Sequence, residues 1–375
     1  MGPLTGVRVI EIASLAPAPF GCMILADLGA EVLRIDRLGS SAAITAPPGP
    51  LDRGRRTVAV DLKAPAGLAT VHRLVESADV FVEGFRPGVA ERIGIGPDDL
   101  AAINQRLVYA RMTGWGQDGP LRQRAGHDIN YIALAGALEP IARRGERPLA
   151  PLNLLGDFAG GGMLMAMGII AALYERERSG EGQVVDAAMV DGASLFTAFM
   201  RGMHAAGQWQ EEPGTNVLDG AAPFYDTYAC ADGRFVAVGC VEPQFFTELV
   251  AMLGIDGSDL PFQFDPSGWP AWKKAIGEAF LTKSRDQWTA VFEDSDACVT
   301  PVLSPWEAHL APHHAARGSF VDVDGIVQPA PAPRFSRTPA PNPVPPDAGG
   351  RDVVQTLRDW GVGDGAALLE GGSVA

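Results

Sequence analysis

The chain is 375 residues long, 47% apolar, and carries 45 acidic against 30 basic side chains for a formal net charge of −15. That length allows more than one domain and a large buried core, while the acidic average field excludes general nucleic-acid binding and leaves any polyanionic ligand to find a local cluster of cations. No apolar run is expected to reach the roughly 18–20 residues that cross a bilayer, and no basic-then-apolar leader is seen, so the chain reads as cytoplasmic with no membrane partner.

In chain order, Val7–Ile12 reads as a strand, Phe20–Leu28 as a helix after a proline-bearing loop, and Glu31–Asp36 as a second strand, together a βαβ unit. The connecting loop, Ala13 to Gly21, lacks the G-x-G-x-x-G that brings backbone to a pyrophosphate, and its two prolines remove N–H donors, which disfavours a nicotinamide dehydrogenase. Further strands are expected at Thr57–Leu62, Asp79–Glu83 and Leu107–Met112. Basic residues gather after these strands: Arg37, then Arg53, Arg55 and Arg56, then Lys63, Arg86 and Arg92. In a parallel sheet Arg37, Lys63 and Arg86 fall near carboxyl ends, where open α/β sheets hold ligands, and such a cluster suits a phosphate-bearing molecule. For any single arginine an ordinary surface pair is an equal reading.

A helix is read over Met163–Glu175, a short extended segment over Gln183–Asp186 and an apolar helix over Ala187–Met203; Met163, Met165, Met167, Met189, Met200 and Met203 suit either core packing or an adaptable acyl surface. Beyond a polar stretch, a hairpin (Phe224–Ala231, the Asp232-Gly233 turn, Arg234–Val241) and three helices form a smaller α+β unit. Val327–Pro346 is proline-dense and reads as an extended strap, and Arg351–Trp360 as a last helix. The expected division is a large α/β domain at 1–203, a linker at 204–219, a small domain at 220–310, a return strap at 311–346 and a closing segment at 347–375. Cys22, Cys230, Cys240 and Cys298 have no C-x-x-C spacing and read as free thiols. His309, His313 and His314 lack accompanying cysteines or paired carboxylates, so no metal site is read there.

Two bends carry chemistry. Gly126-His127-Asp128-Ile129-Asn130-Tyr131 follows the end of a strand, and Leu155-Gly156-Asp157-Phe158 precedes three glycines, Gly160 to Gly162. A histidine, titrating near pH 6.5 when unperturbed, and a carboxylate at glycine-flanked bends are what a proton-moving site at neutral pH requires. Asp157 is expected at a helix N-cap whose first-turn N–H groups would steady developing negative charge. The glycine run admits close approach of either a ligand or another helix.

The motifs Pro3-Leu4-Thr5-Gly6-Val7-Arg8-Val9-Ile10-Glu11, Asp27-Leu28-Gly29-Ala30-Glu31-Val32, Val60-Asp61-Leu62-Lys63, Glu83-Gly84-Phe85-Arg86-Pro87-Gly88, Arg111-Met112-Thr113-Gly114-Trp115-Gly116-Gln117, the His127 stretch and Gly156-Asp157-Phe158 resemble, in that order, the α-methylacyl-CoA racemases of the class III CoA-transferase (CaiB/BaiF) family. The resemblance implies a Rossmann-like large domain with a mostly parallel sheet, a smaller α+β domain, and an interlocked homodimer in which Glu242 reaches the other subunit's His127 site. It implies that His127 and Asp157 exchange a proton at C2 of a 2-methylacyl-CoA thioester, with Asp128 and Glu242 supporting or orienting them. No cofactor is implied beyond the CoA of the substrate, which would be held by Arg37, Val60, Asp61, Leu62, Lys63, Gly84, Phe85, Arg86, Arg92, Gly126, Ile129, Asn130 and Tyr131. Within the family the alternative is CoA transfer with Asp157 as nucleophile, a chemistry in which the histidine is characteristically absent. A non-catalytic acyl-CoA-binding paralogue is the third reading.

Overall fold

The computed structural model describes residues 2–39, 49–346 and 353–375. Contacts divide the chain into two compact units, the first of residues 1–135, 151–196 and 315–375, the second of 136–150 and 197–314. The first is built on β1 (Arg8–Ile12), α1 (Pro17–Asp27), β2 (Glu31–Arg37), β3 (Arg55–Val60), α2 (Pro65–Val75), β4 (Val80–Glu83), α3 (Val89–Ile93), α4 (Pro97–Ala101), β5 (Val108–Thr113), α5 (Asp128–Leu134), a π-helical stretch Leu154–Met163 that runs into α6 (Leu164–Ser179), β6 (Val184–Ala188) and α7 (Met189–Leu195). Its six strands lie in the order β3-β2-β1-β4-β5-β6, all parallel.

The period of two in each strand divides the core into two layers. Val9, Val32, Val80, Val82, Val108 and Ala110 face one side with residues of α1 and α6, whereas Ile10, Leu33, Ile35, Val58, Phe81 and Tyr109 face the other with α2, α4 and residues Leu357 to Val374. Sheets covered on both faces read as nearly continuous apolar runs, which is why these strands were legible. The order reverses direction between β1 and β4, so the crevice at their carboxyl ends is the topological switch point of the sheet.

Two of the gathered arginines are core ion pairs rather than ligand groups. Arg55 lies 2.5 Å from Glu11 with both side chains buried, and Arg53 lies 2.5 Å from Asp27 while also donating to Gln328. Arg56 pairs with Asp359 at the surface. An apolar interior tolerates a charge only when it is paired, and burial still pushes the Glu11 carboxyl above its ordinary range against the pull of Arg55.

The helical stretch Leu154–Ser179 is 26 residues long and apolar enough, by length and composition, to cross a bilayer, which corrects the expectation that no such run exists. One face of it packs in the core, with Met165, Ala166, Ile169 and Ala172 buried against the sheet, while Met163, Met167 and Tyr174 are exposed. The helix expected over Ala187–Met203 is interrupted; β6 extends to Ala188, α7 follows, and α8 (Ala198–Ala205) begins after a break at Phe196 and Thr197.

The second unit continues with β7 (Asp226–Ala229), β8 (Phe235–Val238), α9 (Pro243–Leu253), α10 (Trp269–Phe280), α11 (Arg285–Phe292) and β9 (Val299–Pro301), the strands forming an antiparallel sheet in the order β7-β8-β9. Its core is aromatic: Phe224, Phe246, Trp269, Trp272, Phe280, Trp288 and Phe292. The segment 136–150, placed by sequence in the large domain, belongs here because Arg144 pairs with Glu212 and Arg143 with Asp226. After α12 (Pro312–Arg317), residues read as an extended strap instead include a hairpin of β10 (Phe320–Val323) and β11 (Ile326–Pro329) turned at Asp324-Gly325. The chain closes with α13 (Val353–Asp359) and α14 (Gly365–Glu370); Arg351, where the last helix was expected to begin, lies outside the described residues.

Candidate active site

The site is assembled in the first unit from loops at the carboxyl edge of the sheet. Beyond β5, Gly114 and Gly126 lie flat against the Tyr131 ring; a Cβ at Gly114 would overlap it and one at Gly126 would sit 2.7 Å from Cε1. The ring meets Trp115 edge-on at 4.8 Å, and the Tyr131 hydroxyl donates to the Gly126 carbonyl. These contacts fold the loop so that His127 becomes the N-cap of α5, its backbone N–H donating to Asn130 Oδ1 at 3.0 Å. The His127 side chain is exposed.

At the first position of α5, the buried Asp128 carboxylate accepts the backbone N–H of Asp157 at 2.7 Å. A Cβ at Gly156 would lie 2.6 Å from that Asp128 oxygen, so glycine is needed for the carboxylate to reach. Asp128 thus ties the His127 helix to the Asp157 helix. Asn153, which caps the π-helical stretch, donates its amide to Asp157 Oδ2 at 3.2 Å.

Burial pushes the half-buried Asp157 carboxyl above its ordinary value; the Asn153 hydrogen bond opposes this, the nearby Asp128 charge adds to it, and His127 pulls it down. His127 and Asp157 therefore lie within electrostatic reach of one another, although 29 residues lie between them in the chain. The Tyr131 phenol is likewise raised, first by burial and then by Asp157, with Arg86 opposing, which brings the Arg86 guanidinium into the same neighbourhood.

One expectation is corrected here, and one of two open readings is favoured. Asp157 is not an N-cap: Asn153 is, and Asp157 lies inside the first turn, with its own N–H taken by Asp128 and that of Phe158 directed to the Asn153 carbonyl at 3.3 Å. The turn after Asp157 therefore does not present those two donors to an oxyanion. The glycine run serves helix packing: Gly160 abuts Gly192 and Ala193 of α7, and Gly162 abuts the Pro17 carbonyl and Phe20 of α1.

The remaining sequence-chosen residues spread along the same sheet edge. Arg37, exposed, ends β2 and pairs in register with buried Val60 of β3. Asp61 and Leu62 are half-buried and Lys63 exposed just past β3. Gly84 follows β4 against Ser14; the Phe85 N–H donates to Glu83 at 2.6 Å; Arg86 is exposed, as is Arg92 on α3. Ile129 and Asn130 are exposed on α5. Glu242 is the N-cap residue of α9 in the second unit. Asn153 was not read from sequence; an asparagine four residues before a catalytic-type aspartate, a spacing that faces side chains together on a helix, was the available signal.

An open parallel α/β sheet with an imidazole–carboxylate pair and cations along its carboxyl edge defines a class of ligand-handling enzymes. Residues 4–352 match the family described as CoA-transferase family III, and the chain belongs to that family. It is 46% identical to the alpha-methylacyl-CoA racemase of Mus musculus, over 96% of this chain and 93% of the mouse protein. To the Homo sapiens alpha-methylacyl-CoA racemase it is 47% identical, over 90% of this chain and 87% of the human one. At 30% identity, over 90% and 89% of the two chains, it also resembles a succinyl-CoA–D-citramalate CoA-transferase of Chloroflexus aurantiacus. Among solved structures, the crystal structure of Rv3272 from Mycobacterium tuberculosis superposes with a TM-score of 0.75 at 28% identity, covering 93% of this chain and 97% of that one. A CaiB/BaiF family protein from Brucella suis shares the fold, with a TM-score of 0.80 at 24% identity and 99% coverage of both chains.

Proposed function

We propose that the chain interconverts the 2R and 2S epimers of 2-methylacyl-CoA thioesters by 1,1-proton transfer through an enolate. The observation that carries this reading is the 2.7 Å bond from the Asp157 N–H to Asp128, the residue next to His127, which ties the imidazole-bearing and carboxylate-bearing turns together, and burial raises the Asp157 carboxyl above its ordinary value. His127 would take the C2 proton of the S epimer and Asp157 return one to the opposite face, the roles exchanging in reverse. Asp128 and Asn153 hold the Asp157 backbone and carboxylate for that task. General-base assistance contributes roughly 10²–10⁴-fold, which requires the base within hydrogen-bond reach of the proton it moves.

CoA would lie along the carboxyl edge, its nucleotide near Arg37 and Val60–Lys63, its thioester near Tyr131, with Arg86 and Arg92 between. From β2 to β5 is three inter-strand steps, about 14 Å, a span suited to the pantetheine arm. Asp61, Leu62, Gly84, Phe85, Gly126, Ile129 and Asn130 complete this lining. A homodimer in which Glu242 of the partner subunit orients His127 is part of the proposal. In its support, α5, α7 and the Leu154–Ser179 helix pack together and leave Leu134, Met167 and Leu195 each 60% or more exposed, apolar side chains that association would cover.

The CoA-transferase relatives favour a second reading, with Asp157 as nucleophile. Incubating a 2-methylacyl-CoA in heavy water with no acceptor acid separates the two. Deuterium at C2 is expected; thioester exchange that requires a free acid, with C2 unlabelled, would assign the chain to transfer instead.

A further inference from the structure

The helix α14 closes with Gly372 in the left-handed region at φ 66°, the Gly372 N–H bonding Leu369 O at 3.1 Å and the Ser373 N–H bonding Leu368 O at 3.0 Å. This pair of bonds turns the chain sharply off the helix axis. Ser373–Ala375 is thereby laid antiparallel along the edge strand β3. Ala59 N–H donates to Ala375 O at 2.8 Å, Ala375 N–H to Ala59 O at 2.9 Å, and Asp61 N–H to Ser373 O at 3.1 Å. Val374 sits opposite Val60, both buried in the layer that holds Leu62 and Leu368.

Just beyond, the chain turns tightly. Ala64 N–H donates to Asp61 O at 3.1 Å and Lys63 N–H to Asp61 Oδ1 at 3.0 Å, while Gly67 of α2 lies directly on the Asp61 carbonyl. The Asp61–Lys63 turn is therefore gripped by α2 on one side and by Ser373–Ala375 on the other. Arg37, in register with Val60, borders the same turn.

We infer that Gly371–Ala375, with Val374 as its anchor, is a positioning element for the nucleotide end of the CoA thioester, acting through the Val60–Lys63 turn. The inference rests on the proposed reading that this turn meets the nucleotide. A segment that merely covered an exposed strand edge would protect the fold without regard to substrate, and the two roles separate in kinetics. The test compares a 2-methylacyl-CoA with the matching N-acetylcysteamine thioester, which keeps the reacting carbon and lacks the nucleotide.

In Val374→Asp the KM for the CoA thioester is expected to rise about tenfold with kcat within about twofold of wild type, and kcat/KM for the truncated thioester to stay within about twofold. Val374→Ile restores the wild-type KM. Val374→Ala, a milder loss of the same contact, carries the test if the aspartate is not tolerated, moving KM in the same direction by about threefold. Equal losses on both thioesters, or an unchanged KM for the CoA thioester, overturn the positioning role. Wild-type protein that does not favour the CoA thioester over the truncated one overturns the nucleotide reading of the turn itself, and the inference with it.

Discussion

The raised Asp157 carboxyl has a consequence for stability as well as chemistry. Its folded value lies above the unfolded one, so its contribution to the native state is fully present only below the unfolded carboxylate pKa of about 3.9 and is lost as pH rises through the folded value. Asp157→Asn removes the buried charge while leaving an oxygen for Asn153 to donate to. The urea midpoint of this variant, relative to wild type, should therefore be higher at pH 7 than at pH 4; a difference that is constant or reversed would contradict the burial account. His127 and Asp157 stood out as candidates in the sequence because a glycine flanks each bend, whereas Asp128 was implied by the family resemblance alone. Asn153 did not stand out, since a surface-type asparagine shows no partner until the helix places it one turn before Asp157. Arg53 and Arg55 misled for the opposite reason: nothing in a run of arginines tells a buried pair with Asp27 or Glu11 from a phosphate contact.

Among the elements, two glycines give opposite tests. A Cβ at Gly156 would press the Asp128 oxygen at 2.6 Å, and the carboxylate would have to leave the Asp157 N–H. Gly156→Ala should therefore lower turnover at least about tenfold, with a stability change kept small because alanine returns roughly 0.5–1 kcal/mol of helix propensity. At Gly192 the added methyl would overlap the Gly160 carbonyl, a backbone atom that cannot swing away. Gly192→Ala should cost about 1–3 kcal/mol of stability, read by denaturant, while the folded fraction keeps its turnover. Identical behaviour of the two variants would argue against a clamp specific to Asp128. β1, β4 and β5 were readable because each is an apolar run with little exposure, whereas β6, with Val184 and Asp186 exposed, showed only as a short extended segment. The interruption between α7 and α8 and the hairpin of β10 and β11 were not, because tertiary contacts override local patterning in short apolar or proline-bearing segments.

For the whole molecule, residues that meet only on folding make up the proposed site: cations from three strand ends and a histidine and a carboxylate from two helix starts, to which the proposed homodimer would add Glu242 of the partner subunit. If Glu242 acts across the dimer, chains carrying His127→Ala and chains carrying Glu242→Ala should complement when co-assembled, because one of the two sites then holds both native residues. Mixed dimers no more active than either parent would place Glu242 in the same chain's site or outside catalysis. The sequence resemblance implied this arrangement; spacing along one chain carries no information about it. The central claim, that one imidazole and one carboxylate share a single carbon, is tested most directly by following epimerisation of a single-epimer 2-methylacyl-CoA by wild type, His127→Ala and Asp157→Ala. Inversion by the wild type and its loss in both variants, with CoA binding nearly intact, is the predicted result; undiminished inversion in either variant would contradict the two-base account.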